Sequence, residues 1–85
     1  MTTEDRLRRF IVLDLRWPGS IAELTDDLPL LERRVVDSLG IFRLVAFIEE
    51  QFQISIDDEE LVPGHFATLT SLRRFIEAKA RHPEG

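Results

Sequence analysis

Apolar residues recur at three- and four-residue steps over Ile41, Leu44, Val45, Ile48 and Phe52, the period of a helix with one buried face. The stretch Val35 to Phe52 therefore reads as a loop ending at Asp37, followed by an amphipathic helix from Ser38 to about Gln51. Asp37 suits the N-cap, because its carboxylate accepts amide hydrogens of the first turn. Ser38 then falls at the positive end of the helix. A hydroxyl there is poorly buried, and an anion attached to it would be stabilised by the dipole and the free N–H groups. The apolar surface of this helix is wider than one stripe, since Leu39, Phe42, Ala46 and Phe47 add to the core set. Such a helix is either buried on most sides or offers a hydrophobic patch to a partner. Leu39 and Phe42 are expected to be partly exposed.

The same pattern places the other elements. Thr2 or Thr3 caps a first helix with Glu4 and Asp5 in its first turn; Leu7, Phe10, Ile11 and Leu15 face inward and Arg6, Arg8, Arg9 and Asp14 outward. Trp17-Pro18-Gly19 ends it. Residues 18–36 form a long connection, pinned to the core by Leu24, Leu28, Leu30 and Leu31, in which Ser20-x-x-Glu23 opens a single helical turn. Gln53 to Ile56 alternates like a strand but has no partner elsewhere, so it is an extended link with Ile54 and Ile56 turned inward. Asp57 caps a short helix running to Leu61 or Val62, which Pro63-Gly64 ends, and Phe66 anchors the next link. Thr68 caps a last helix with Leu69, Leu72, Phe75 and Ile76 inside and Arg73, Arg74 and Lys79 in solvent; the tail from His82 to Gly85 frays. The expected fold is all-α, a bundle of three long helices and one short one with a long first loop.

Composition narrows the function. Eighty-five residues make one domain, 1–85, with a small core. The chain has no cysteine, so any thioester it carries needs a thiol from a cofactor. Neither a signal peptide nor a membrane-spanning run is legible, and a cytoplasmic monomer is the default. The net charge of -5 argues against nucleic-acid binding. Six acids and no Lys or Arg lie between Glu49 and Glu60, whereas Arg73, Arg74, Lys79 and Arg81 make the C-terminal segment basic. These are either two solvated faces or an acidic docking surface near Ser38 that attracts basic patches on partner enzymes.

Ser38 lacks the surroundings of a nucleophile. Catalysis needs a base in reach, and the histidines, His65 and His82, lie in a turn and in the tail. Val-Asp-Ser-Leu-Gly is not a nucleophile elbow. No phosphate loop, Rossmann fingerprint or metal-ligand cluster is present, and Asp57 to Glu60 is not spaced as a calcium loop. The reading is a protein without enzymatic activity and without a metal.

Asp37-Ser38-Leu39, with Leu30-Leu31-Glu32 before it, Leu44-Val45, Ile48-Glu49-Glu50, Phe52, Ile54 and Ile56 after it, and Phe66, Thr68-Leu69 and Phe75-Ile76 closing the pattern, resembles acyl and peptidyl carrier proteins over nearly the whole chain. The resemblance implies that Ser38 carries a 4′-phosphopantetheine arm, placed there from coenzyme A by a phosphopantetheinyl transferase. The arm's thiol would hold an acyl or aminoacyl unit, supplied by an adenylating ligase or acyltransferase and presented to synthase or tailoring enzymes. It further implies a docking surface in which Asp37 contacts the transferase, Leu39 and Phe42 form an apolar anchor, and Glu49, Glu50 and Asp58 form a polar rim.

The chain departs from fatty-acid carriers at Gly40 and Arg43, where those usually have acids, and from carrier domains of peptide synthetases at Val35-Val36. Its overall look resembles stand-alone carriers of polyketide and nonribosomal-peptide-type pathways. Arg43 would set like charges against the basic partners of fatty-acid carriers. Two alternatives remain: a housekeeping carrier of fatty-acid synthesis, and a small helical interaction module without a prosthetic group, in which Ser38 is merely a cap.

Overall fold

The computed structural model describes residues 2–81; the expected fraying of the tail lies outside them. Helix α1 spans Thr3–Leu13, and Thr2 Oγ1 caps it by accepting the Asp5 N–H at 3.1 Å. It stops four residues short of Trp17, and Leu15 packs on the core from beyond its end. The chain leaves the helix through wider turns, Leu15 N–H donating to Phe10 O and Trp17 N–H to Ile11 O, each at 3.4 Å, and Pro18 disfavours the α region for Trp17 alone. The chain turns away through Arg16, which has a left-handed backbone (φ 55°).

The long connection is ordered by its own hydrogen bonds. Ser20 and Glu23 form a capping box around the 3-10 turn Ile21–Glu23. Leu30 N–H donates to Ala67 O at 2.8 Å, and Val35 N–H returns to Leu30 O at 2.9 Å. Leu24 and Leu30 are fully buried, and Leu28 and Leu31 pack beside them. Arg8, expected to face outward, is instead half-buried: it donates to Leu24 O and pairs with Asp5 and Asp26. The loop carbonyl that crosses α1 needs a donor, and a guanidinium on a long apolar stem supplies one.

Helix α2 spans Ser38–Phe52 and ends at Gln53 in a left-handed C-cap (φ 55°). Gly40, Leu44 and Ile48 are its buried line, while Phe47 stacks on Phe10 of α1 with centroids 4.3 Å apart. Ala46, read as core, is exposed. It shares an outer face with Leu39, Phe42, Arg43 and Glu50, at the three- and four-residue spacing of a single helix surface.

Gln53, expected in the extended link, is instead the left-handed cap; residues 54–57 form the link, with Ile54 and Ile56 against the core. The short helix is displaced from its expected place. Asp57 and Glu60 make a capping box around a 3-10 turn, Asp58–Glu60, and the helical segment α3 is Pro63–Phe66. Pro63 and Gly64 thus begin a helix instead of ending one. Proline at the first helical position loses no intrahelical bond, since that N–H has no partner there anyway. Phe66, at the end of α3, is buried.

Helix α4 spans Leu69–Arg81, and Thr68 Oγ1 caps it by accepting the Ser71 N–H at 3.0 Å. Leu69, Leu72, Phe75 and Ile76 are buried, as the spacing predicts. α4 packs against α1, α2 and α3, and no strand occurs among the described residues.

The basic C-terminal segment is partly neutralised within the fold. Arg73 pairs with Glu4 at 2.6 Å and with Glu77 at 3.0 Å, and Lys79 pairs with Glu60 at 2.7 Å. The Lys79 ammonium, helped by the Asp57 N–H, holds the Glu60 carboxyl below its ordinary value. A depressed folded-state pKa gives stability that is present at neutral pH and lost as pH falls through that pKa. Lys79→Met is therefore expected to melt below wild type at neutral pH, by under about 1 kcal/mol because the pair is partly exposed. The difference should begin to shrink as the pH falls past the ordinary glutamate value of about 4.3 and vanish only below the depressed folded-state value. Melting curves of both proteins across that pH range check this.

Candidate functional site

The N-terminus of α2 is where local chemistry and exposure meet. Asp37 is in extended backbone, and its Oδ1 accepts the Gly40 N–H at 2.7 Å. The cap is therefore Asp37, and Ser38 is the first helical residue with an exposed side chain. The Ile41 N–H closes the first helical turn onto Asp37 O at 2.9 Å. The amides of Ser38 and Leu39 have no acceptor among the described residues, as expected for the first N–H groups of a helix. An exposed hydroxyl beside free amide donors is what a serine phosphodiester needs, so the site fits 4′-phosphopantetheine.

Gly40 has a packing reason. A Cβ there would lie 3.2 Å from Asp37 Oδ1, 3.4 Å from Val36 Cγ1 and 3.5 Å from Leu15 Cδ1. The contacts with Val36 and Leu15 are ordinary, but any side chain at this position would need the Asp37 carboxylate to shift by a few tenths of an ångström.

The other candidates divide by position. Leu39 and Phe42 are 75% and 63% exposed, far more than half-buried residues, and they flank Ser38 and Arg43 on the outer face. Glu49 and Glu50 lie about 16–18 Å along the axis from Ser38, at 1.5 Å per residue. Glu49 is half-buried and accepts the Ile56 N–H at 2.8 Å, so it fastens the link after α2. Glu50 and Asp58 are exposed. His65 stacks on Phe75, with centroids 4.3 Å apart.

Three arginines come together near the start of α2. A cleft of about 300 Å³ adjoins the start of α2 and is lined by Arg16, Trp17, Arg34, Asp37, Leu39 and Arg43, among others. Arg16 and Arg34 escaped the sequence reading. Both precede or end loop segments without periodicity, and only the folded loop brings them to α2.

A curated protein from Serratia sp. (strain ATCC 39006), described as the probable acyl carrier protein PigG, is 38% identical over 61 residues, covering 72% of this chain and 70% of that one. The chain belongs to the acyl carrier protein family. The carrier's fold agrees with the solution structure of a holo acyl carrier protein from Nitrosomonas europaea, with a TM-score of 0.80 at 30% identity, covering 96% of this chain and 100% of that one. A chain of a crystal structure described as that of an FAD-dependent dehydrogenase matches with a TM-score of 0.72 at 34% identity, over 82% of the carrier and 97% of that chain. No family model matches. Acyl carrier proteins are carriers, not enzymes, and their cofactor is a covalent 4′-phosphopantetheine. Their partners include a phosphopantetheinyl transferase and biosynthetic enzymes. No helix among the described residues is long and apolar enough to cross a membrane.

Proposed function

We propose that Ser38 is the attachment point of the arm, and that the protein is a stand-alone carrier of a natural-product pathway holding an acyl or aminoacyl unit. The carrying observation is the division of labour at the start of α2. Asp37 supplies the cap, which leaves the Ser38 hydroxyl exposed and uncommitted. When bound, the arm supplies the thiol that holds the cargo as a thioester. The residues of the chain present that serine on a rigid helix, stabilise the added negative charge with the Ser38 and Leu39 amides, and offer Leu39 and Phe42 to partner enzymes.

The buried Gly40 and the exposed Arg43, in place of acids, support a specialised pathway over fatty-acid synthesis. The chain has no G-x-G-x-x-G, so it lacks a dinucleotide-binding fingerprint of its own. Its likeness to a chain from an FAD-dependent dehydrogenase structure supports a flavin dehydrogenase among the tailoring partners.

The test is loading. Holo protein, incubated with ATP, an amino or short acyl acid and an adenylating ligase, should gain one unit by intact mass. Hydroxylamine should release it, and apo protein should gain nothing. Efficient elongation by fatty-acid enzymes, without loading by any ligase, would make it a housekeeping carrier.

A further inference from the structure

The molecule carries a net charge of -5, yet the rim of its candidate site has the opposite sign. Arg16 from the turn after α1, Arg34 from the long loop and Arg43 from α2 line one cleft with Asp37 and Leu39, the two chain neighbours of Ser38. All three are exposed. None forms a salt bridge with a described residue, which is also true of Arg6, Arg9, Arg33 and Arg74, whereas Arg8, Arg73 and Lys79 are paired. Asp37 is the acid lining the cleft, and its Oδ1 is committed to the cap. Arg16 and Arg34 have left-handed backbones, φ 55° and 57°, a conformation that L residues other than Asn and Asp seldom adopt. Meanwhile Glu49, Glu50, Asp57, Asp58 and Glu59 collect toward the far end of α2 and the link beyond it.

Three guanidiniums against the single carboxylate of Asp37 give this cleft a positive balance, while Arg43 also borders a neighbouring depression with Asp14 and Glu50. Beside the arginines stand Leu39 and Phe42, the two large apolar side chains most exposed on α2. A small solvated anion would leave that apolar surface bare. A protein face with a hydrophobic depression and acidic edges would cover both.

We infer that the carrier docks through a basic collar of Arg16, Arg34 and Arg43 around the Leu39 and Phe42 anchor, onto enzymes whose arm-entry channel is rimmed by Asp and Glu. Asp57, Asp58 and Glu59, beyond the far end of α2, then lie outside the contact, and Glu50, which borders a depression with Arg43, stands at its edge. This inference rests on the carrier reading of Ser38. The collar both attracts acid-rimmed partners and repels basic-rimmed ones, since like charges juxtaposed across an interface are costly.

The experiment uses holo protein, its arm confirmed by intact mass, and a malonyl transferase of fatty-acid synthesis as a basic-faced probe. Wild type should be a slow acceptor. Arg16→Glu/Arg34→Glu/Arg43→Glu should accept about tenfold faster or more at low salt, through steered encounter. The gain should shrink between about 0.01 M and 0.1 M salt, as the Debye length falls from about 30 to about 10 Å. Arg43→Glu alone should give part of the gain, which guards against misfolding of the triple variant. Arg74→Glu, an exposed change on α4, should give none. Equal rates for wild type and both collar variants, or an equal gain from Arg74→Glu, would overturn the collar while leaving the carrier reading intact. Failure of the arm to attach would strike the carrier reading instead. A second arm titrates apo protein with inorganic phosphate, read by the fluorescence of Trp17, the chain's single tryptophan, which lines the cleft. No saturable change is expected. A saturable response abolished in the triple variant would make the cleft a small-anion pocket and overturn the docking inference.

Discussion

Phe66→Ala is expected to remove a large share of the protein's stability. The ring is 1% exposed at the end of α3, tilted against Phe75 of α4 with centroids 6.2 Å apart. The adjoining Ala67 carbonyl receives the Leu30 N–H of the long loop, so the site joins α3, α4 and that loop. Deleting a buried phenylalanine ring costs about 3–5 kcal/mol. A chain this short has few layers able to collapse into the gap. At about 4–8 °C per kcal/mol for a domain of this size, the melting temperature should fall by roughly 12–40 °C. Leu39→Ala makes the contrast. Leu39 is 75% exposed, and surface changes of this kind stay within about 0.5 kcal/mol. Thermal melts followed by circular dichroism compare the two, and a Phe66→Ala melt within a few degrees of wild type would contradict the packing described.

Ser38→Ala and Asp37→Ala are expected to fail in different ways. Ser38 is not the cap, and its exposed hydroxyl makes no hydrogen bond to a described residue. Ser38→Ala should therefore melt like wild type and accept no arm at all, because the atom that bonds to phosphorus is gone. Asp37→Ala removes the acceptor of the Gly40 N–H, which typically costs about 1 kcal/mol. It should melt several degrees lower yet still accept the arm, if more slowly. Were Ser38 a mere cap, the stability loss would fall on Ser38→Ala instead. Melting curves and transferase assays on the same preparations separate the two schemes.

Much of this was legible in the sequence, for a physical reason. α2, the Asp37 cap, the Ser20–Glu23 turn and the inner face of α4 are local features, written in spacing and cap chemistry within a few residues. Leu24 and Leu30 could be placed as loop anchors because isolated leucines in a polar connection have few other uses. The misses come from tertiary context. Pro63-Gly64 carries the signal of a helix end, but proline serves equally well at the first position of a helix, and only the packing of Phe66 decides between them. Arg8 resembles a solvent-facing residue until a loop carbonyl is brought over α1. The wide apolar surface of α2 did not reveal which stripe lay outside, so Ala46 was misplaced although Leu39 and Phe42 were not. The basic cleft was least legible. Its arginines come from three separate segments, and nothing in the spacing of Arg16, Arg34 and Arg43 brings them together. The acids expected near Ser38 are contiguous in sequence, yet helix geometry carries them to the other end.

The claim on which the rest depends is that Ser38 bears the arm. Apo protein incubated with coenzyme A and a promiscuous phosphopantetheinyl transferase, then measured by intact mass and by fragmentation of its peptides, tests it directly. The chain has four serines, Ser20, Ser38, Ser55 and Ser71, so the fragments discriminate. The expected result is one phosphopantetheinyl group per chain, located on Ser38 and absent from Ser38→Ala. A group on another serine, or a wild-type protein left unmodified by several transferases while Ser38→Ala folds normally, would contradict the account.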